Sequence, residues 1–184
     1  MPGLINKEDA LLLIIDVQEK LFNVVQNKEN VLKNLIKLIK ACKVLNIPIL
    51  ITEQYPKGLG KTVKEIVEEL GEQYNPIEKL TFSCFRTSAF REAVSKLMKH
   101  VIIITGIEFH ICVFQTAIDA RENGFRPIVV VDATSTRKEI DYKTAINRLL
   151  VNDIELATTE MVIYELLKDA SKLEFKKILK IIKM

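Results

Sequence analysis

The sequence predicts an α/β fold: a three-layer α/β/α, Rossmann-like arrangement around a doubly wound six-stranded parallel sheet. Three observations predict it. Apolar runs and amphipathic segments alternate about six times along the chain, as strands joined by crossover helices do. The first run, ALLLII at 10–15, is apolar at every position, which suits a strand buried on both faces of a parallel sheet. No repeat, linker or low-complexity segment divides the 184 residues, and at about 150 residues per domain the whole of 1–184 reads as a single domain.

Each element has a local reason. After the first strand, Val31, Leu35, Leu38, Ile39, Cys42 and Leu45 form one helical face, and Lys33, Lys37, Lys40 and Lys43 cover the other. Pro48 ends that helix, and 49–51 form the second strand. Residues 53–61 carry Pro56, Gly58 and Gly60, a loop by composition. Thr62 with Glu65 three residues on suggests a capping box for a helix through Leu70, and Gly71 stops it. Residues 77–82 form a weak third strand, 88–98 a helix and 101–105 a strong fourth strand. Residues 106–111 make a turn. Cys112 opens a helix that runs to Asn123, with Gly124 as its stop. The fifth strand is 127–131, Asp141 caps a helix through Leu150, and the sixth strand is 154–157. Helices at 159–167 and 171–182 close the chain. In the last, Phe175, Ile178, Leu179 and Ile182 share a face that suits either the chain's own core or a second copy.

Composition narrows the function. Net charge is +3 (27 basic against 24 acidic residues), and the lysines spread over helix faces without interleaved aromatics, which argues against nucleic acid as the main partner. No apolar stretch approaches the roughly 20 residues that span a bilayer, so no membrane association is expected. The opening MPGLINKED lacks a basic segment followed by an apolar one. The three cysteines, Cys42, Cys84 and Cys112, are odd in number and far apart, unlike a disulfide framework. These features predict a soluble cytoplasmic protein acting on a small molecule.

Ligands of doubly wound sheets bind beyond the carboxyl ends of the strands. The residues there are Asp16, Glu53, 79–83, 106–112 and 132–137. Cys112 follows a strand and a turn, where the N–H groups and dipole of a helix start lower a thiol's pKa; the alternative is a small buried apolar residue. Asp16 either caps the turn after its strand or works as an acid/base. Lys79 is either a solvated strand-end lysine or the partner of Asp16, since burying it unpaired is costly. An Asp16–Lys79 pair beside the thiol would favour the thiolate and supply a proton acceptor. There is no HxH or HExxH spacing, and His110 stands alone near Cys112, so no metal site is predicted. Neither a G-x-G-x-x-G turn nor a Walker loop is present, so no cofactor is predicted.

LLLIIDVQ at 11–18, KLTFS at 79–83 and GIEFHICVFQTA at 106–117 together resemble the isochorismatase-like cysteine hydrolase superfamily. TEQYPKGLG at 52–60 and DATST at 132–136 are most similar to the isochorismatase-domain-containing proteins. The resemblance implies a Cys–Asp–Lys triad with Cys112 as nucleophile, Asp16 as acid/base and Lys79 as supporting cation. It implies a cis peptide at Ile107–Glu108 and an oxyanion hole made by the N–H groups of Glu108 and Cys112. It also implies a pocket near Gln18, Phe22, Tyr55, Phe82 and Phe109, and a homo-oligomer, dimer or larger. The nicotinamidase members bind a metal through an Asp and histidines after the second strand, whereas Thr52-Glu53-Gln54-Tyr55-Pro56 has no histidine. True isochorismatases usually carry a small residue where Cys112 stands. The implied activity is hydrolysis of a small amide or related C–N bond through a thioester. The alternatives are a non-catalytic binding or scaffold protein of the same fold, and hydrolysis of a vinyl ether.

Overall fold

The computed structural model describes residues 3–184. Six strands form one all-parallel sheet: β1 (Ala10–Ile15), β2 (Ile49–Gln54), β3 (Ile77–Lys79), β4 (Val101–Ile107), β5 (Arg126–Ser135) and β6 (Glu155–Ala157), in the order β3-β2-β1-β4-β5-β6. Strand order reverses between β1 and β4, the switch point at which such sheets open a crevice.

The period-two alternation of β1 assigns its side chains to two cores. Leu12 and Ile14 pack with Leu35, Leu38 and Ile39 of α1 (Lys28–Leu45) and with Val162 and Ile163 of α6 (Thr159–Leu167). Leu11, Leu13 and Ile15 pack with Phe90 of α3 (Ser88–Leu97), Ala117 of α4 (Phe114–Glu122) and Leu149 of α5 (Glu139–Val151). Each such fully buried aliphatic side chain contributes about 1.5–3 kcal/mol.

Several boundaries differ from the sequence reading, each for a local reason. β2 continues through Gln54, and Pro56–Leu59 closes into a short helical turn. β3 stops at Lys79, because the next residues turn back so that the carbonyls of Thr81 and Phe82 accept from its ammonium. α2 (Lys64–Leu70) starts after Val63 with no capping side chain; the Thr62 hydroxyl instead donates to Glu53 at 2.8 Å, so no capping box forms. α5 starts at Glu139, which puts Asp141 inside its first turn. Helical winding ahead of α4 begins at Phe109, in a π-helical turn Phe109–Val113, so Cys112 lies within that turn and does not open the helix. In α7 (Phe175–Ile182), Ile178 and Ile181 are the buried pair and pack on the chain's own core; Leu179 is only half-buried. That face is used internally.

Gly106 sets how closely β4 approaches β1. Its φ is +108°, and a Cβ there would lie 2.1 Å from the carbonyl oxygen of Ile15. Among the described residues no helix is long and apolar enough to cross a membrane.

Candidate active site

Asp16 directly follows the last residue of β1, Ile15, which pairs in register with Thr52 of β2 and Gly106 of β4. The Asp16 N–H donates to the Thr52 carbonyl at 3.2 Å. Asp16 has a φ of +50°, a left-handed conformation that aspartate tolerates better than most residues. Such conformations cluster where function needs a side chain aimed.

The aim is specific. Lys79 Nζ donates to Asp16 Oδ2 at 2.6 Å, and Thr52 Oγ1 donates to Asp16 Oδ1 at 2.7 Å. The same carboxylate is the nearest negative charge acting on the Cys112 thiol. The Lys79 ammonium is fully engaged: beyond Asp16 it meets Gln54 Oε1 at 2.8 Å and the carbonyls of Phe82 at 3.0 Å and Thr81 at 3.2 Å. Three strand ends and one helical turn thus bring Asp16, Lys79 and Cys112 together.

The electrostatics of the thiol correct the sequence expectation. Burial, then the neighbouring Asp16 carboxylate, push the Cys112 thiol well above its ordinary range, and Lys79 pulls the other way without prevailing. Burial outweighs the pull expected from the helix start and the lysine, and the lysine's charge is shared with Asp16. At rest the site holds a neutral thiol beside an ion pair. Burial also raises the Asp16 carboxyl, opposed by Lys79, Thr52 and Cys112. For Lys79, burial acts against the charge, but the Asp16 carboxylate holds its pKa above the usual lysine value.

The Ile107–Glu108 peptide is cis. The Glu108 carbonyl accepts from the N–H groups of Ile111 at 3.1 Å and Val113 at 3.3 Å. The five-residue reach to Val113 makes the turn under Cys112 π-helical. The buried Glu108 carboxylate accepts from Arg137 Nε at 2.8 Å, which ties this turn to the loop after β5.

The pocket residues divide. Gln18 is buried as a strut, bonded to the N–H and carbonyl of Gln54 and to the carbonyl of Gly60. Phe22 packs against the α1-side core. Phe109 is buried edge-on to Tyr142, with centroids 4.9 Å apart. Phe22 and Phe109 are held by packing and Gln18 by its hydrogen bonds, long-range contacts that short-range motif reading cannot see. Tyr55 and Phe82 are exposed, as is Leu80, and Tyr55 lines a cleft of about 540 Å³ with Lys57, Leu80 and Arg86 at the β3 edge.

Sequence reasoning missed Thr52, Gln54 and Cys84, and gave Arg137 no role beyond its place in 132–137. Alternation along β2 was the available signal: Thr52 and Gln54 share the face toward Asp16 and Lys79. Glu53 points the other way, accepting from Thr62 N–H at 2.7 Å and Tyr74 Oη at 2.6 Å. Burial first, then Glu53, push the Tyr74 phenol up to about 12. Among the described residues no three His, Cys, Asp or Glu side chains gather as a metal-binding group; the His110 ring is 3.8 Å from Asp141 alone.

An Isochorismatase domain model matches residues 10–161. The chain belongs to the isochorismatase family. Isochorismatase domain-containing protein 2 of Danio rerio is 37% identical over 180 residues, covering 98% of this chain and 90% of that relative. Among solved structures, the MAR1 ribonuclease of Caenorhabditis elegans superposes with a TM-score of 0.91 at 34% identity, over 99% of this chain and 93% of that one. The YcaC gene product of Escherichia coli, described as an octameric hydrolase of unknown specificity, superposes with a TM-score of 0.91 at 26% identity, over 98% and 92% of the two chains. The chain therefore has the isochorismatase-like hydrolase fold, as its sequence motifs implied.

Proposed function

We propose that this isochorismatase-family chain is a cysteine hydrolase that cleaves a small amide or related C–N bond through a thioester on Cys112. The observation that carries the reading is the buried Asp16–Lys79 ion pair, 2.6 Å long, set beside the Cys112 thiol so that its carboxylate acts on that thiol. A thiol held neutral at rest needs a base when the carbonyl arrives, and Asp16 is the neighbouring carboxylate that takes its proton. Cys112 Sγ then bonds to the carbonyl carbon. The oxyanion lies against the N–H groups of Glu108 and Cys112. Asp16 returns the proton to the leaving nitrogen as the C–N bond breaks. It next takes a proton from water, whose oxygen attacks the thioester, and gives it back to the departing sulfur. Lys79 stays charged throughout and keeps Asp16 from rotating away.

Phosphodiester cleavage, the activity named for the worm neighbour, is the competing reading. The four acceptors on Lys79 Nζ leave it no free donor for a phosphate, which favours the amide. We further propose that the chain assembles as a homo-oligomer, by likeness to the octameric neighbour, and works in the cytoplasm, in keeping with its three free cysteines. The test is release of ammonia or amine from a panel of small amides, alongside an RNA substrate. Wild-type turnover of an amide that is lost in Cys112→Ala supports the reading. RNA cleavage that survives Cys112→Ala, with no amide turned over, overturns it.

A further inference from the structure

At Oδ1 of Asp16, the carboxylate oxygen that Lys79 does not bond, begins a second polar chain that the proposed chemistry does not use. Thr52 Oγ1 has one proton, and it goes to Asp16 Oδ1 at 2.7 Å. Its lone pairs face the Cys84 thiol, whose Sγ lies 4.0 Å away as donor. Thr52 and Cys84 are fully buried, so no water competes for the hydroxyl. An ionised carboxylate can only accept, so the bond at 2.7 Å takes the Thr52 proton.

We propose that Thr52 is a positioning residue: its hydroxyl, oriented by Cys84, holds Asp16 in the ionised form and orientation that receive the Cys112 proton. This inference rests on the cysteine-hydrolase reading above. The backbone supports it, because Asp16 N–H donates to the Thr52 carbonyl, so one residue fixes Asp16 at both ends. Its effect is electrostatic. A hydrogen bond to the charged form of a carboxylate lowers that carboxylate's pKa. The other titratable groups facing Asp16 are Lys79 from β3, Cys84 from the turn after it, and Cys112 from the π-helical turn. Thr52 adds to them a hydroxyl donor that does not titrate.

The test is the rate of Cys112 alkylation by iodoacetamide against pH, read by peptide mapping, in wild type, Thr52→Val, Thr52→Ser and Asp16→Asn. With Asp16 as base, the wild-type profile has a lower inflection that belongs to Asp16 and that Asp16→Asn abolishes. Thr52→Val, close in shape, should move that inflection up by about half to one pH unit, and Thr52→Ser should bring it back. Lost packing alone would not move an inflection, and Thr52→Ser tests the hydroxyl even if the valine variant fails to fold. Superimposable wild-type and Thr52→Val profiles, or a serine variant shifted as far as the valine variant, would overturn the role of Thr52 while leaving the hydrolase reading intact. A wild-type profile with no lower inflection would overturn both.

Discussion

Lys79 Nζ and Asp16 Oδ2 lie 2.6 Å apart with both side chains wholly shielded from solvent. Two charges in that setting depend on each other, since removing one partner of a buried pair typically costs about 3–5 kcal/mol. Lys79→Met should lower the melting temperature sharply. Adding Asp16→Asn to it should recover part of the loss, because the orphaned carboxylate goes with it. Melting curves of the two single variants and the double variant check this; additive losses would mean that the pair is not coupled.

The same three side chains should act as one unit in turnover. Cys112→Ala, Asp16→Asn and Lys79→Met should each reduce it by a factor of about a hundred or more, and the losses should not multiply in combination. Steady-state rates on whichever amide the panel identifies decide the point.

Thiol titration separates a working site from an incidental salt bridge. Cys112 has a pKa raised by burial and by Asp16, so it should be largely un-ionised at pH 7. Alkylation should rise in two steps with pH. In the first, Asp16 loses its proton, above the usual aspartate range because its pKa is raised; in the second, the thiol itself ionises. Asp16→Asn should lower the thiol's pKa by removing a negative neighbour, and Lys79→Met should raise it by removing the cation. Cys42 and Cys84, both pushed up to about 12 by burial, should stay unlabelled in the native protein. Native labelling of Cys84 ahead of Cys112 would contradict the assignment.

Gly106 offers a test remote from the charges. A methyl group at its α-carbon meets Ile15 backbone atoms at 2.1 and 2.6 Å, and the positive φ adds strain. Gly106→Ala should therefore cost well over about 1 kcal/mol and, by moving β4 away from β1, slow Cys112 alkylation in whatever fraction remains folded. Chemical denaturation and peptide mapping read the two effects.

Much of this arrangement was legible in the sequence. β1 was clear because a strand buried on both faces leaves a continuous apolar signal ending at Asp16. Lys79 and Cys112 were found because one lies at a strand's carboxyl end and the other in the turn after a strand. Thr52 and Gln54 were not, because Thr-Glu-Gln after Ile51 reads as the start of a loop. Their alternation carries meaning only once β2 is seen to continue beside β3. The Thr62–Glu65 spacing matched a cap, but the buried Glu53 carboxylate had the stronger need for the Thr62 donors. The Cys112 thiol was misjudged for a related reason: the sequence shows the helix start and the lysine, but not the desolvation that outweighs them.

The most direct test of the account is to trap the acyl-enzyme. The protein is incubated with a panel of small amides, quenched in acid, and examined by intact mass and peptide mapping. The account predicts an acyl group on Cys112 in the wild type, absent in Cys112→Ala and strongly reduced in Asp16→Asn. No adduct with any amide that is turned over, or an acyl group mapped to Cys84 or Lys79, would contradict it.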